Sequence, residues 1–155
     1  MDISRIADFS FKLARAGVLE SHAQVVKRHV GRTAYAADGT QDVQLAIGST
    51  IDVLVMFTLA ARKKGEEDVS VRAEMKYLGS FQYQGSVDEL VDALKNVYLQ
   101  HVLIAQVFPL AQQSWMRLVQ SVGIRPHEQV ELGITLTKEG AQQEHEAQER
   151  ARATT

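Results

Sequence analysis

The chain has 155 residues, 45% of them hydrophobic, which is enough for one domain with its own core. Its 17 basic and 19 acidic side chains leave a formal charge of -2, so neither nucleic acid nor an anionic membrane is attracted globally and partners have to be recognised locally. It contains no cysteine, which excludes disulfides, thiolate metal sites and cysteine nucleophiles. Asp2, Asp8 and Lys12 interrupt the N-terminus, which therefore lacks the profile of a secretory signal. The apolar stretches around Ile51 to Ala61 and Val97 to Pro109 fall short of the ~20 residues that span a bilayer. A cytoplasmic protein without membrane insertion is expected.

Ile6, Phe9, Leu13 and Ala16 fall near helical spacing, with Ser4 as a candidate cap, and predict a short amphipathic helix over Ile6 to Val18. Gly17 weakens it, and Val18 to Val30, centred on Val25 and Val26, is the alternative first strand. Gly31 to Asp42 is rich in turn residues and reads as a connection. Ile51, Val53, Val55, Phe57 and Leu59 alternate strictly and predict a strand. The charged, glycine-containing run Arg62 to Glu67 predicts a hairpin loop. In the returning strand Val69, Val71, Ala73, Met75 and Tyr77 alternate with Ser70, Arg72, Glu74 and Lys76, giving one apolar and one charged face. Leu78-Gly79 interrupts it before Phe81 and Tyr83, as a bulge or a close backbone approach does.

Ser86-Val87-Asp88-Glu89 fits a capping box, and Val87, Leu90, Val91 and Leu94 continue on one helical face. Ile104, Val107, Phe108, Ala111, Trp115, Leu118, Val119 and Val122 form a second helical stripe, which Gly123 stops. Pro109 predicts either a kink or a fresh helix start, and the reading adopted is the fresh start. Val130, Leu132, Ile134 and Leu136 alternate as a last strand or extended arm. Residues 138–155 have alanine as their only apolar type and are expected to be a solvated helix or disordered, which makes 1–137 a single domain.

The five histidines, His22, His29, His101, His127 and His145, are scattered without the paired spacing of metal ligands. No phosphate-binding glycine loop, nucleophile elbow or calcium loop is present, so neither catalysis nor a cofactor is expected. The basic patch Arg62-Lys63-Lys64 is offset by Glu66, Glu67 and Asp68, which argues against nucleic acid. The aromatic residues are more informative: Phe57, Tyr77, Phe81, Tyr83, Phe108 and Trp115 lie where hairpin and helix have to pack. Leu54 and Met56 give the first hairpin strand a second apolar face, the pattern of oligomer packing or of a ligand groove.

From Asp68 to Ile124 the chain resembles the SecB protein-export chaperones and their SecB-like relatives. The resemblance rests on Glu74-Met75-Lys76-Tyr77-Leu78-Gly79-Ser80-Phe81, on Val107-Phe108-Pro109-Leu110-Ala111-Gln112, and on the exit Gly123-Ile124-Arg125-Pro126. It implies an α+β fold, with an antiparallel four-stranded sheet packed with helices, assembled as a homotetramer. It also implies an ATP-independent holdase whose clients are unfolded or extended polypeptides, serving protein export or a toxin-antitoxin pair. Glu74 carries over to the family's contact with the SecA-type motor, whereas Arg72 stands where the family has an apolar residue. The client groove is expected among Leu54, Met56, Leu78, Phe81, Tyr83, Phe108 and Leu110, beside the two places where regular pairing is interrupted. The competing reading is a small oligomeric adaptor that binds one specific protein partner.

Overall fold

The computed structural model describes residues 10–31 and 33–124, and the backbone course of 132–137. Its centre is the strand β3, Ile51–Lys63, in which Ile51, Val53, Val55, Phe57, Leu59 and Ala61 are buried while the alternate residues are not. The period of two puts the isoleucine, valine and phenylalanine side chains of β3 on one face. On one side β3 pairs antiparallel with β4, Val71–Tyr83, in unbroken register from Ile51↔Phe81 to Ala61↔Val71. On the other it pairs with β2, Tyr35–Ile47, from Tyr35↔Lys63 to Ile47↔Ile51. The edge strand β1, Phe11–Val25, runs antiparallel to β4, with register shifts between Leu13 and Arg15 and between Val18 and Glu20. These four form the expected antiparallel sheet. A short β5, Leu132–Thr137, adds to the far side of β2 in parallel, so the complete order is β1-β4-β3-β2-β5.

Two helices among the described residues cover one face. Helix α1, Val87–Leu94, starts at Ser86, whose hydroxyl accepts from the Glu89 amide at 3.2 Å, as the capping box requires. Helix α2, Val97–Ser121, lies over β1, β3 and β4 and buries Leu99, Leu103, Ile104, Val107, Ala111, Trp115 and Val119. It ends on Gly123 at φ 81°, where the Gly123 amide donates to Gln120 O and the Ile124 amide to Val119 O. That pair of bonds is a Schellman cap, which needs a left-handed residue at the glycine position.

Three expectations are corrected, and a fourth, which offered two alternatives at Gly79, is decided. Residues 11–17 are strand, not helix, and β1 ends at Val25 rather than Val30; the remainder of the expected helix, Ile6 to Phe9, lies outside the described residues. Pairing with β4 outweighs a weak helical periodicity already damaged by Gly17. The expected connection over 31–42 is strand from Tyr35 onward, because its polar residues need no burial on a face without cover. Helix α2 begins at the Asn96 cap and runs through Pro109 without a new start. Pro109 is exposed, as is Ala105, four residues earlier, so water can take the place of the missing amide. The β3–β4 register passes Gly79 without a bulge, leaving the close approach, which is real: a Cβ there would meet Val107 Cγ2 at 2.4 Å. The solvated tail expected over 138–155 and Val130 lie outside the described residues.

Candidate polypeptide-binding surface

Among the described residues, no helix lies on the second face of the sheet. Register assigns to it Leu54, Met56 and Ala60 of β3, Leu78, Lys76, Glu74 and Arg72 of β4, and Glu20, His22 and Gln24 of β1. Leu54 and Leu78 are direct cross-strand partners, and Met56, opposite Lys76, lies two pairs further along, the next position on this face. The three are half-buried and form an apolar island. Gly17 stands beside Leu78 on β1 with open space where a side chain would go, so the island continues onto bare backbone. Charged pairs lie beyond it toward the C-terminal end of β3: Lys76 Nζ is 3.5 Å from Glu20 Oε2 beside Met56, and further along Arg62 Nη2 is 3.5 Å from Asp38 Oδ2. Two adjoining depressions of about 550 and 490 Å³ run across this face, sharing His22, Thr58 and Glu74; Met56 lines the first. Leu54 and Leu78 line neither depression, and the side chains that do so from this face are mainly polar or charged; an apolar island beside polar hollows and exposed backbone offers an extended polypeptide both apolar and hydrogen-bonding contacts.

The seven residues expected to make the groove do not share one surface. Leu54, Met56 and Leu78 lie on the bare face, whereas Phe81, Phe108 and Leu110 lie on the helix side. Phe81 is 0% exposed and belongs to the core. Tyr83 is half-buried against the core, and its hydroxyl donates to Gly48 O at 2.7 Å, tying the end of β4 to the β2–β3 turn. Phe108 packs 6.0 Å from Phe57, and Leu110 is 40% exposed on the outside of α2. Glu74 is exposed on the bare face between His22 and Thr58. Apolar groups that sequence reasoning did not single out lie at the β1 edge, Val18 and Leu19, and on the outer side of α2, Tyr98 and Val102. The register shift after Val18 leaves no signal in the sequence; the sparing of Tyr98 and Val102 from the buried stripe does.

One cluster imitates a catalytic relay. His29 Nε2 lies 2.8 Å from Ser70 Oγ and 3.9 Å from Glu66 Oε2. Both partners face the same ring nitrogen, whereas the base of a nucleophile relay is oriented through its other nitrogen. Ser70 is also fully buried, beyond the reach of a substrate. The cluster is instead a clamp on the β1–β2 connection, where the Val26 and Lys27 amides donate to Ser70 O and the Lys64 amide to Ala34 O. Lys27 hydrogen-bonds Glu66 at 3.2 Å; that bond is the main reason the Glu66 carboxyl sits below its ordinary value, with the Lys27, His29 and Lys63 charges adding and desolvation opposing. Among the described residues, no three histidine, aspartate or glutamate side chains are grouped to hold a metal ion, and no helix is long and apolar enough to cross a membrane.

An open antiparallel sheet with two helices on one face defines an α+β architecture of the SecB-like type. The fold matches the solved SecB-like chaperone of Mycobacterium tuberculosis in complex with a ChAD peptide from the HigA1 antitoxin, at a TM-score of 0.56 and 13% identity, covering 83% of this chain and 95% of that one. At this identity the likeness establishes the fold. No family model matches the sequence, and no curated protein matches it either.

Proposed function

We propose that the chain is an ATP-independent holdase chaperone that binds unfolded or extended polypeptide segments through apolar surface. The observation that carries the reading is the Leu54–Met56–Leu78 island on a sheet face that no helix among the described residues covers, in a fold shared with a chaperone whose solved complex contains an antitoxin peptide. An unfolded segment offers alternating apolar side chains and unpaired backbone, and leucine with adaptable methionine accepts both with little sequence preference. Holding needs no nucleotide, because binding the unfolded state shifts the folding equilibrium by mass action. The working unit in this reading is a cytoplasmic homotetramer, with the outer side of α2, where Tyr98 and Leu110 stand exposed, taken up in assembly. Clients come from protein export or from a toxin-antitoxin pair. Glu74, exposed between the two depressions, is the proposed contact for a SecA-type motor.

The test is suppression of aggregation of several unrelated unfolded proteins, with the oligomeric mass followed by light scattering. A holdase protects all of them at near-stoichiometric amounts without ATP. Protection of a single protein and none of the others would instead identify an adaptor with one specific partner, and a stable monomer at micromolar concentration would remove the tetramer.

A further inference from the structure

Strand β1 meets β4 in three successive registers. Phe11 to Leu13 pair with Tyr83 to Phe81, Arg15 to Val18 with Ser80 to Tyr77, and Glu20 to Val25 with Lys76 to Val71. Each shift leaves one extra residue on β1, Ala14 and then Leu19, and such a bulge re-aims the side chains beyond it. Extending the first register along the strand would set Ala16 opposite Leu78, and extending the last would set Val18 there. The middle register sets Gly17 there instead. The two bulges thus bring to the apolar island the one residue of β1 that has no side chain.

Nothing inside the fold asks for glycine at this position. Gly17 is not among the glycines with positive φ, and a Cβ on it would meet no atom within 4 Å. A glycine inside a strand forfeits backbone entropy and side-chain packing, and here no crowding compensates for the loss. The cleared space is exposed and lies beside Leu78, with Leu54 one strand further on. It is an open socket with an apolar wall. On the same face Arg15 stands opposite Ser80, about 7 Å from Gly17 by the two-residue repeat of a strand, and Lys12 follows opposite Gln82. Both cations are exposed, and neither has an ion-pair or hydrogen-bond partner among the described residues. Asp52, two strands away from Arg15 in the same row, is engaged by the Thr50 and Ser80 hydroxyls, and Glu20 is paired with Lys76. The socket therefore has a free positive charge at its margin.

We infer that Gly17 and Arg15 form a two-point subsite for an extended polypeptide segment that presents a bulky apolar side chain and, two residues further along, a carboxylate. The apolar side chain lies over the Gly17 backbone against Leu78 and Leu54, and the carboxylate accepts from the Arg15 guanidinium. The spacing follows from the geometry of strands: side chains at i and i+2 of an extended chain share one face at about 7 Å, the repeat that also separates Arg15 from Gly17. The planar fork of arginine matches a carboxylate, and Lys12 beyond it adds to the attraction for negative charge. Any side chain at position 17 would occupy the socket, which makes Gly17 the specificity-determining residue. That the segment belongs to a client rests on the chaperone reading above; the subsite itself rests on the register of β1.

The test uses the full chain and a short, capped, fluorescently labelled peptide that carries tryptophan and, two positions on, aspartate in a background of glycine and serine. Binding is followed by anisotropy, beside peptides with asparagine in place of the aspartate or alanine in place of the tryptophan. Reduced, carboxamidomethylated α-lactalbumin, which stays unfolded, reports client binding in general. The aspartate peptide is expected to bind about tenfold more tightly than its asparagine counterpart, a preference lost in Arg15→Gln and largely kept in Arg15→Lys. Gly17→Val is expected to weaken the aspartate peptide by about tenfold or more while melting no lower than the parent, because valine suits a strand and fills the socket without touching the fold. The alanine peptide should bind as weakly to the parent as the aspartate peptide does to Gly17→Val. Equal binding of the aspartate and asparagine peptides, or parental peptide affinity in Gly17→Val, overturns the inference. A lower melting midpoint in Gly17→Val also overturns it, since the fold itself would then need the glycine. A protein that binds unfolded α-lactalbumin but none of the peptides loses the subsite and keeps the chaperone reading, whereas failure to bind either probe removes both.

Discussion

At Gly79 a hydrogen atom stands where any other residue would place a Cβ 2.4 Å from Val107 Cγ2 and 3.3 Å from its Cβ. Val107 is fully buried and β-branched, with no freedom to swing aside. Gly79→Ala is therefore expected to destabilise the fold by about 1–3 kcal/mol, the cost of overpacking a filled core. Val107→Ala in the same chain should return part of that loss, giving a favourable coupling of about 0.5–3 kcal/mol in a double-mutant cycle read by denaturant unfolding. Additive effects would show that Gly79 is needed for some other reason. Trp115 is the matching case of a filled space: it is 6% exposed and stacked on Phe57 at 5.2 Å, 10° from parallel. Trp115→Ala should cost about 3–5 kcal/mol, and an unchanged unfolding midpoint would contradict that packing. The place of Trp115 on the buried stripe was legible from spacing alone. The partner of Gly79 was not, because a glycine inside a strand announces crowding without naming the element that crowds it.

At the scale of elements, alternation and helical periodicity located β3, β4, α1 and the C-terminal end of α2, whose positions follow from their own apolar residues. They failed at β2, and at Pro109 in α2, where the deciding partner is elsewhere in the fold. β2 is strand because β3 pairs with it along its whole length, and the helix continues through Pro109 because buried residues on either side, Val107 and Ala111, stay seated on the sheet. The proline is then a tolerated defect, and Pro109→Ala should raise stability by roughly 1–3 kcal/mol, measured as a higher unfolding midpoint. A fall instead would mean that the ring makes a contact worth more than the lost hydrogen bond. The clamp between the β1–β2 connection and the β3–β4 turn gives a pH prediction. A carboxyl depressed in the folded state, as Glu66 is by its bond from Lys27, stabilises the fold above its unfolded value and loses that contribution as pH falls through the folded value. Glu66→Gln should thus melt slightly lower than the parent near neutral pH, with the difference closing in acid below the ordinary glutamate range. The pair is solvent-exposed, so the effect is small and shrinks with added salt; a difference that stays constant with pH would point to packing.

For the whole molecule, the decisive asymmetry is that the helices of the described residues cover one side of the sheet and not the other. The sequence revealed that β3 is apolar on both faces, but it did not reveal which of the seven groove candidates share a surface, because that depends on the β3–β4 register and on where α2 lies. Register joins Leu54 to Leu78 with Met56 beside them, and places Phe81, Phe108 and Leu110 across the sheet. This division makes the client surface separable by substitution. Leu54→Ser and Leu78→Ser alter half-buried positions on a face without helix cover, so each should cost less than the several kcal/mol of a core truncation. If clients lie on that face, these two variants lose aggregation suppression while still melting cooperatively, and the double variant loses nearly all of it. Leu110→Ser lies on the outer side of α2 and should instead weaken assembly, seen as a lower mass by light scattering, with client binding by the remaining oligomer preserved. The reverse pattern, in which Leu110→Ser abolishes client binding at unchanged mass and the two sheet variants behave as the parent, would move the client surface to the helix side. Loss of activity in step with unfolding in all three would leave neither face as the binding surface. Measuring melting, mass and suppression on the same three proteins thus separates a docking face from an assembly face.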